Sequence, residues 1–150
     1  MRGSQPVSVI ALALLIVAVL TACGGTAGPS GPLGDGRDVY SARCSACHGG
    51  SGQGGVGPSF SEVAETFPMC TDQILWITLG SEKWKDEVGP VYGSTGKPIE
   101  QVMPPFGEVL SQEQIASVAA FERSQYGGVE PDTALEECGL EPVDSDSSAP

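Results

Sequence analysis

The sequence predicts a small all-α domain, and three observations carry that prediction. Two stretches hold an apolar stripe at helical spacing: Ile74, Leu75, Thr78 and Leu79 in one, Ile115, Val118, Ala119 and Phe121 in the other. Both are bounded by helix signals, with Thr71 or Ser111 at the start and Gly80 or Gly127-Gly128 at the stop. In a third segment, 35–47, Gly36, Tyr40, Cys44 and Cys47 follow at steps of four, four and three, which one helix face accommodates.

Taken in order, residues 1–22 read as a signal peptide. Arg2 lies in a short leader, and Val7 to Leu20 is apolar apart from Ser8, too short for a comfortable membrane span. Leu20-Thr21-Ala22 precede Cys23 as in a bacterial lipobox. Cys23 is therefore expected to carry lipid chains that hold the protein on the outer side of a bacterial membrane. An ordinary cleaved signal with an incidental cysteine and an uncleaved anchor helix are the alternatives, and each still exports the domain. Residues 23–34, rich in Gly, Pro, Ser and Thr, read as a flexible tether.

The domain proper is placed at 35–126. Asp35 and Asp38 suit the N-terminus of the first helix, where unpaired N–H groups leave partial positive charge. Gly49 to Gly57 is a glycine-rich loop, and its Gly52, Gly54 and Gly57 spell G-x-G-x-x-G. No strand precedes it and Pro58 follows where a helix should open, so a nucleotide loop is rejected. A backbone that passes close to a flat cofactor is the better account.

A short helix is expected over 61–66 and a longer one over 71–79, capped by Thr71 and stopped by Gly80. Residues 81–102 then read as one long loop, broken by Gly89-Pro90, Gly93, Gly96 and Pro98. A structureless loop of that length ordinarily serves a site. Its Trp84 and Tyr92 are satellite packing, or cover for a cofactor edge. Ser111 and Gln114 form a capping box for the last helix. Residues 127–150 make an acidic tail, expected to be disordered past Cys138.

Cys44-Ser45-Ala46-Cys47-His48 is the attachment signature of a c-type haem. Each thiol can add to one vinyl group and leave a thioether, and the adjacent imidazole is then offered to the iron. His48 is the only histidine in the chain. A zinc site needs a second pair of ligands at short spacing, whereas Cys23, Cys70 and Cys138 are scattered. A thioredoxin-type dithiol follows an apolar strand, whereas a polar helix-like segment precedes this one. One covalently attached haem c is the expected cofactor. The net charge of −12, from 19 acidic and 7 basic residues, argues against nucleic acid and suits a partner with a basic docking face. Solubility alone is the plainer account of the same charge.

Together these residues resemble class I cytochrome c over roughly 35–126. The resemblance implies the cytochrome c fold, a small helical domain wrapped around its haem. Gly57-Pro58 is similar to the family's loop after the proximal histidine, which implies that the Pro58 carbonyl accepts the His48 Nδ1–H. Met103-Pro104 with Phe106 resembles the distal-ligand loop and implies the Met103 thioether as second axial ligand. Met69, outside a Met-Pro context, and an open iron position are the alternatives. The segment from Leu110 to Ile115 resembles the start of the C-terminal helix that crosses the first.

The long loop and the extra Cys70 and Cys138 depart from a minimal member. In an exported protein these two cysteines are expected to form a disulfide tying the tail to the start of the third helix, with two separate buried thiols as the alternative. The function implied is a membrane-tethered monohaem electron carrier, not an enzyme, serving redox proteins or membrane respiratory complexes. An electron-entry subunit of a larger oxidase or dehydrogenase is one rival. A haem enzyme or sensor with an open sixth position is another, and a purely structural lipoprotein a weak third.

Overall fold

The computed structural model describes residues 29–142. The signal segment, Cys23 and the start of the tether lie outside the described residues, as do 143–150. Helix α1, Pro32–Val39, opens three residues before its expected start. Proline suits a first helical position because the N–H it lacks has no partner there. Asp35 therefore sits in the first turn and Asp38 beyond it.

The helix then passes through a π turn, Tyr40–Cys44, in which the Ser45 N–H donates to the Tyr40 carbonyl, and ends as α2, Ser45–His48. Next come α3, Val63–Thr66, and α4, Cys70–Glu87. A hairpin follows, β1 Val91–Tyr92 antiparallel to β2 Lys97–Pro98, with Val91 opposite Pro98. Helices α5, Gln112–Gln125, and α6, Pro131–Glu137, complete the domain.

The core forms where α5 crosses α1. Every residue of α5 from Ile115 to Arg123 is buried. The crossing is closest at Gly36, where a Cβ would collide with the Ser117 carbonyl and stand 2.8 Å from the Phe121 Cβ. Val39, Tyr40, Ile77, Ile115 and Val118 fill the space around it. Each large apolar side chain so buried contributes roughly 1.5–3 kcal/mol. The capping box of α5 is formed: the Gln114 N–H donates to Ser111 Oγ (3.1 Å) and the Ser111 N–H to Gln114 Oε1 (3.0 Å).

Three expectations need correction. Helix α4 begins at Cys70 after Met69, so Thr71 does not cap it, and Gly80 bends it rather than ending it. The span 81–102 is consequently no structureless loop. Its first part is helical to Glu87, and Trp84 packs with Val63 and Phe67 while its Nε1–H donates to the Val91 carbonyl at 2.9 Å. Before Cys138, and so without bearing on the disorder expected past it, the acidic tail contains a helix, α6, whose Ala134 and Leu135 are buried against the main core. Its acidic flanks hide that apolar pair from a reading of composition. Cys70 and Cys138, both buried, bring their Cα atoms to 5.2 Å, a separation that a disulfide spans. Among the described residues no helix is long and apolar enough to cross a membrane.

Candidate functional site

One cavity of about 380 Å³ collects the side chains singled out by their sequence motifs. Cys44, Cys47, His48, Pro58 and Met103 all line it. Met69 does not; it is 62% exposed at the start of α4.

The wall around His48 is built by the glycine-rich loop. Helix α2 ends with carbonyls that lack intrahelical donors. The Gly57 N–H bonds the Cys47 carbonyl (2.9 Å) and the Gly54 N–H bonds the His48 carbonyl (2.8 Å), which folds the loop back over the motif. Gly57 then lies flat on the imidazole: a Cβ there would stand 2.7 Å from His48 Cε1 and 2.9 Å from Nδ1. The close approach expected for a cofactor is thus made to the histidine ring. Phe60 stacks on His48 as well, centroids 4.5 Å apart and planes 24° apart.

The Pro58 carbonyl stands 2.8 Å from His48 Nδ1. A carbonyl only accepts, so Nδ1 carries the proton and donates. Burial lowers the pKa of the ring below its usual value, against the raising effect of the Pro58 bond, and so favours the neutral form. A neutral imidazole protonated at Nδ1 has its lone pair on Nε2, which is the state that ligates iron.

Met103 is held by the bend in α4. At Gly80 the backbone has φ 66° and ψ 179°, a conformation open essentially to glycine. The bend separates Ser81 from its helical partner, and the segment around Met103 takes up the released groups. The Ser81 N–H donates to the Met103 carbonyl (2.9 Å), while the Phe106 N–H donates to Ile77 and the Gly107 N–H to Thr78 (both 3.1 Å). The Met103 N–H donates to Ser81 Oγ at 3.0 Å. A Cβ on Gly80 would stand 2.6 Å from both the Met103 oxygen and the Pro105 nitrogen. The supposed helix stop is therefore the socket of the methionine loop.

A buried polar chain behind the cavity has no counterpart in the motif reading. Glu122 is 2% exposed and lines the cavity, and its Oε2 accepts from Gln73 Nε2 at 2.9 Å. Gln73 Oε1 in turn accepts from Arg123 Nη1 at 3.3 Å. Arg123, 1% exposed, also donates to the Phe67 carbonyl (2.8 Å) and through Nη2 to Glu137 on α6 (2.6 Å). Burial pushes the Glu122 carboxyl up to about 8, although its hydrogen bonds to Gln73 and Cys44 act the other way. Burial likewise raises the Cys44 thiol, helped by the Glu122 charge, and keeps it protonated. One sequence signal for Glu122 existed: it stands at i+7 from Ile115 and i+4 from Val118, in phase with the buried stripe.

These residues suit a c-type haem. Two thiols and an imidazole with Nε2 bare meet a thioether in a cavity of mainly apolar walls, and the polar groups that orient His48 and Met103 are already paired. The family described as Cytochrome C oxidase, cbb3-type, subunit III matches residues 31–121. A search of curated proteins finds no match.

Proposed function

Because the chain belongs to the family described as cytochrome c oxidase, cbb3-type, subunit III, with covalently bound haem c as its cofactor, we propose that it is a membrane-tethered monohaem electron carrier with His48 and Met103 as axial ligands. When bound, the haem supplies one-electron exchange between ferrous and ferric iron. Cys44 and Cys47 would hold it as thioethers. Pro58 keeps His48 in the ligating tautomer and strengthens it as a donor by accepting its Nδ1–H. Met103 would contribute a thioether sulfur, a pairing with histidine that raises the reduction potential. With both axial positions taken by the chain, no site remains for a substrate at the metal. Electrons would then pass outer-sphere to redox protein partners or respiratory complexes. Cys23 would carry the lipid, and a Cys70–Cys138 disulfide would fasten α6 to α4. The convergence of Cys44, Cys47, His48 and Met103 on one cavity supports this assignment most directly.

The family's description names an oxidase subunit, which favours a second reading: the same chemistry performed as the fixed electron-entry subunit of a larger oxidase. Co-purification of the full chain with an oxidase separates this from a free carrier. The ligand assignment is tested on the full chain produced with its export signal. The reduced wild-type protein should resist carbon monoxide, whereas Met103→Ala should bind it and show a lowered potential. A wild-type protein that takes up carbon monoxide readily, or a Met103→Ala variant with unchanged spectrum and potential, overturns it. Cys23→Ser should move the protein from the membrane fraction to the soluble one.

A further inference from the structure

Among the described residues Glu122 is a buried acid without a counter-ion. The nearest cation on its own helix, Arg123, is engaged elsewhere: its Nε and Nη2 donate to Glu137, and its Nη1 to Phe67 and Gln73. An arginine only donates, so Gln73 must turn Oε1 to Arg123 and Nε2 to Glu122. The orientation of Gln73 is therefore set from outside, and it presents one neutral donor to the carboxylate. The other groups facing Glu122 are Tyr40 and Cys44 from the first helix and Tyr126 from the end of α5. Burial raises both tyrosines, so they stay uncharged through the neutral range, and Cys44 held as a thioether would have no proton to lose. Arg43, Glu62 and Lys97 line the same cavity without bonding to Glu122. The side-chain hydrogen bond to Glu122 comes from Gln73, which is not an axial ligand.

A carboxyl in such a place responds to the charge of the cavity it lines. Low dielectric favours its neutral form, and one added positive unit nearby favours the anion. Resting on the haem assignment above, we propose that Glu122 is a proton-binding site coupled to electron transfer. As one electron leaves for the partner redox protein, one proton leaves the Glu122 carboxyl for solvent; when an electron returns, one proton is taken up again. The charge inside the cavity then stays constant across the redox cycle. Glu137, whose side chain is 38% exposed, anchors the far end of the Arg123–Gln73 chain at the surface, while Glu122 itself lines the cavity through which its proton would exchange with solvent.

The test is the midpoint potential of the haem-loaded full chain, measured from pH 5 to 10 for wild type and Glu122→Gln. Coupling predicts a tenfold change in the redox equilibrium per pH unit across a window near the Glu122 titration, about 59 mV per unit for one electron. Glu122→Gln should abolish that slope. A flat wild-type profile, or the same slope in the variant, overturns the proposal. If the variant fails to load haem, a reduced-minus-oxidised infrared difference spectrum of the wild type decides. A carboxylic acid carbonyl band that vanishes on oxidation supports the proposal, and its absence refutes it. A wild-type protein that carries no haem instead overturns the assignment on which the proposal rests.

Discussion

Gly80→Ala should damage the methionine loop more than the helix that contains it. At φ 66° and ψ 179° an alanine costs about 1–3 kcal/mol in backbone strain. Its Cβ would also stand 2.6 Å from the Met103 oxygen and 2.7 Å from the Pro104 carbonyl carbon, so the loop must withdraw. Withdrawal breaks the Ser81–Met103, Phe106–Ile77 and Gly107–Thr78 backbone bonds. At about 1 kcal/mol each these add roughly 3 kcal/mol. A total of about 4–6 kcal/mol corresponds to a fall in Tm of roughly 15–25 °C for a domain of this size. Gly128→Ala is the control. Gly128 has φ 73° with open space around the missing Cβ, so it should cost only about 1 kcal/mol of left-handed strain. Thermal unfolding by circular dichroism measures both, and a sulfur-to-iron charge-transfer absorption in the oxidised protein would report whether Met103 ligates the iron as proposed. If Gly80→Ala matches Gly128→Ala in Tm and keeps that absorption, the bend does not hold the ligand loop.

Two further outcomes are expected. Replacing Cys70 and Cys138 together by alanine opens a closure 68 residues apart and should cost about 4 kcal/mol in urea unfolding; an unmoved midpoint counts against the cross-link. Glu122 sets a pH dependence of stability. Its native pKa of about 8 lies above the usual 4.5, so the folded state binds more protons between those values. Stability should therefore fall as pH rises from 4.5 through 8, by on the order of 5 kcal/mol relative to Glu122→Gln with the iron in one oxidation state, and parallel profiles would refute the shift.

The cavity was more legible in the sequence than the framework that holds it. Cys44, Cys47 and His48 are adjacent and bound by the chemistry of one reaction, so a short window shows them. Gly80 misled because a glycine after a helical stripe reads as a stop, whereas the groups it frees are taken by residues 22 to 29 positions away. No local pattern contains that partner. Helix α6 was hidden because only Ala134 and Leu135 need burial, and the acids around them dominate the composition. Arg123 escaped notice for a related reason: an ion is expected to face water, and here Glu137, Gln73 and the Phe67 carbonyl replace it.

The π turn at Tyr40–Cys44 carries a consequence for how this chain tolerates length changes. One wide turn holds a residue more than an α turn would, and each residue of an α-helix advances the azimuth by about 100°. Removing one residue there would restore an α turn and leave both flanks in their present phase, Gly36 on Ser117 and the imidazole on the proline carbonyl that aims it, whereas removing one from a flanking α turn would rotate the far end by that angle. Irregularity in that stretch acts as slack of one residue between a docking face and a reactive one, so a single deletion should be tolerated within it sooner than on either side of it.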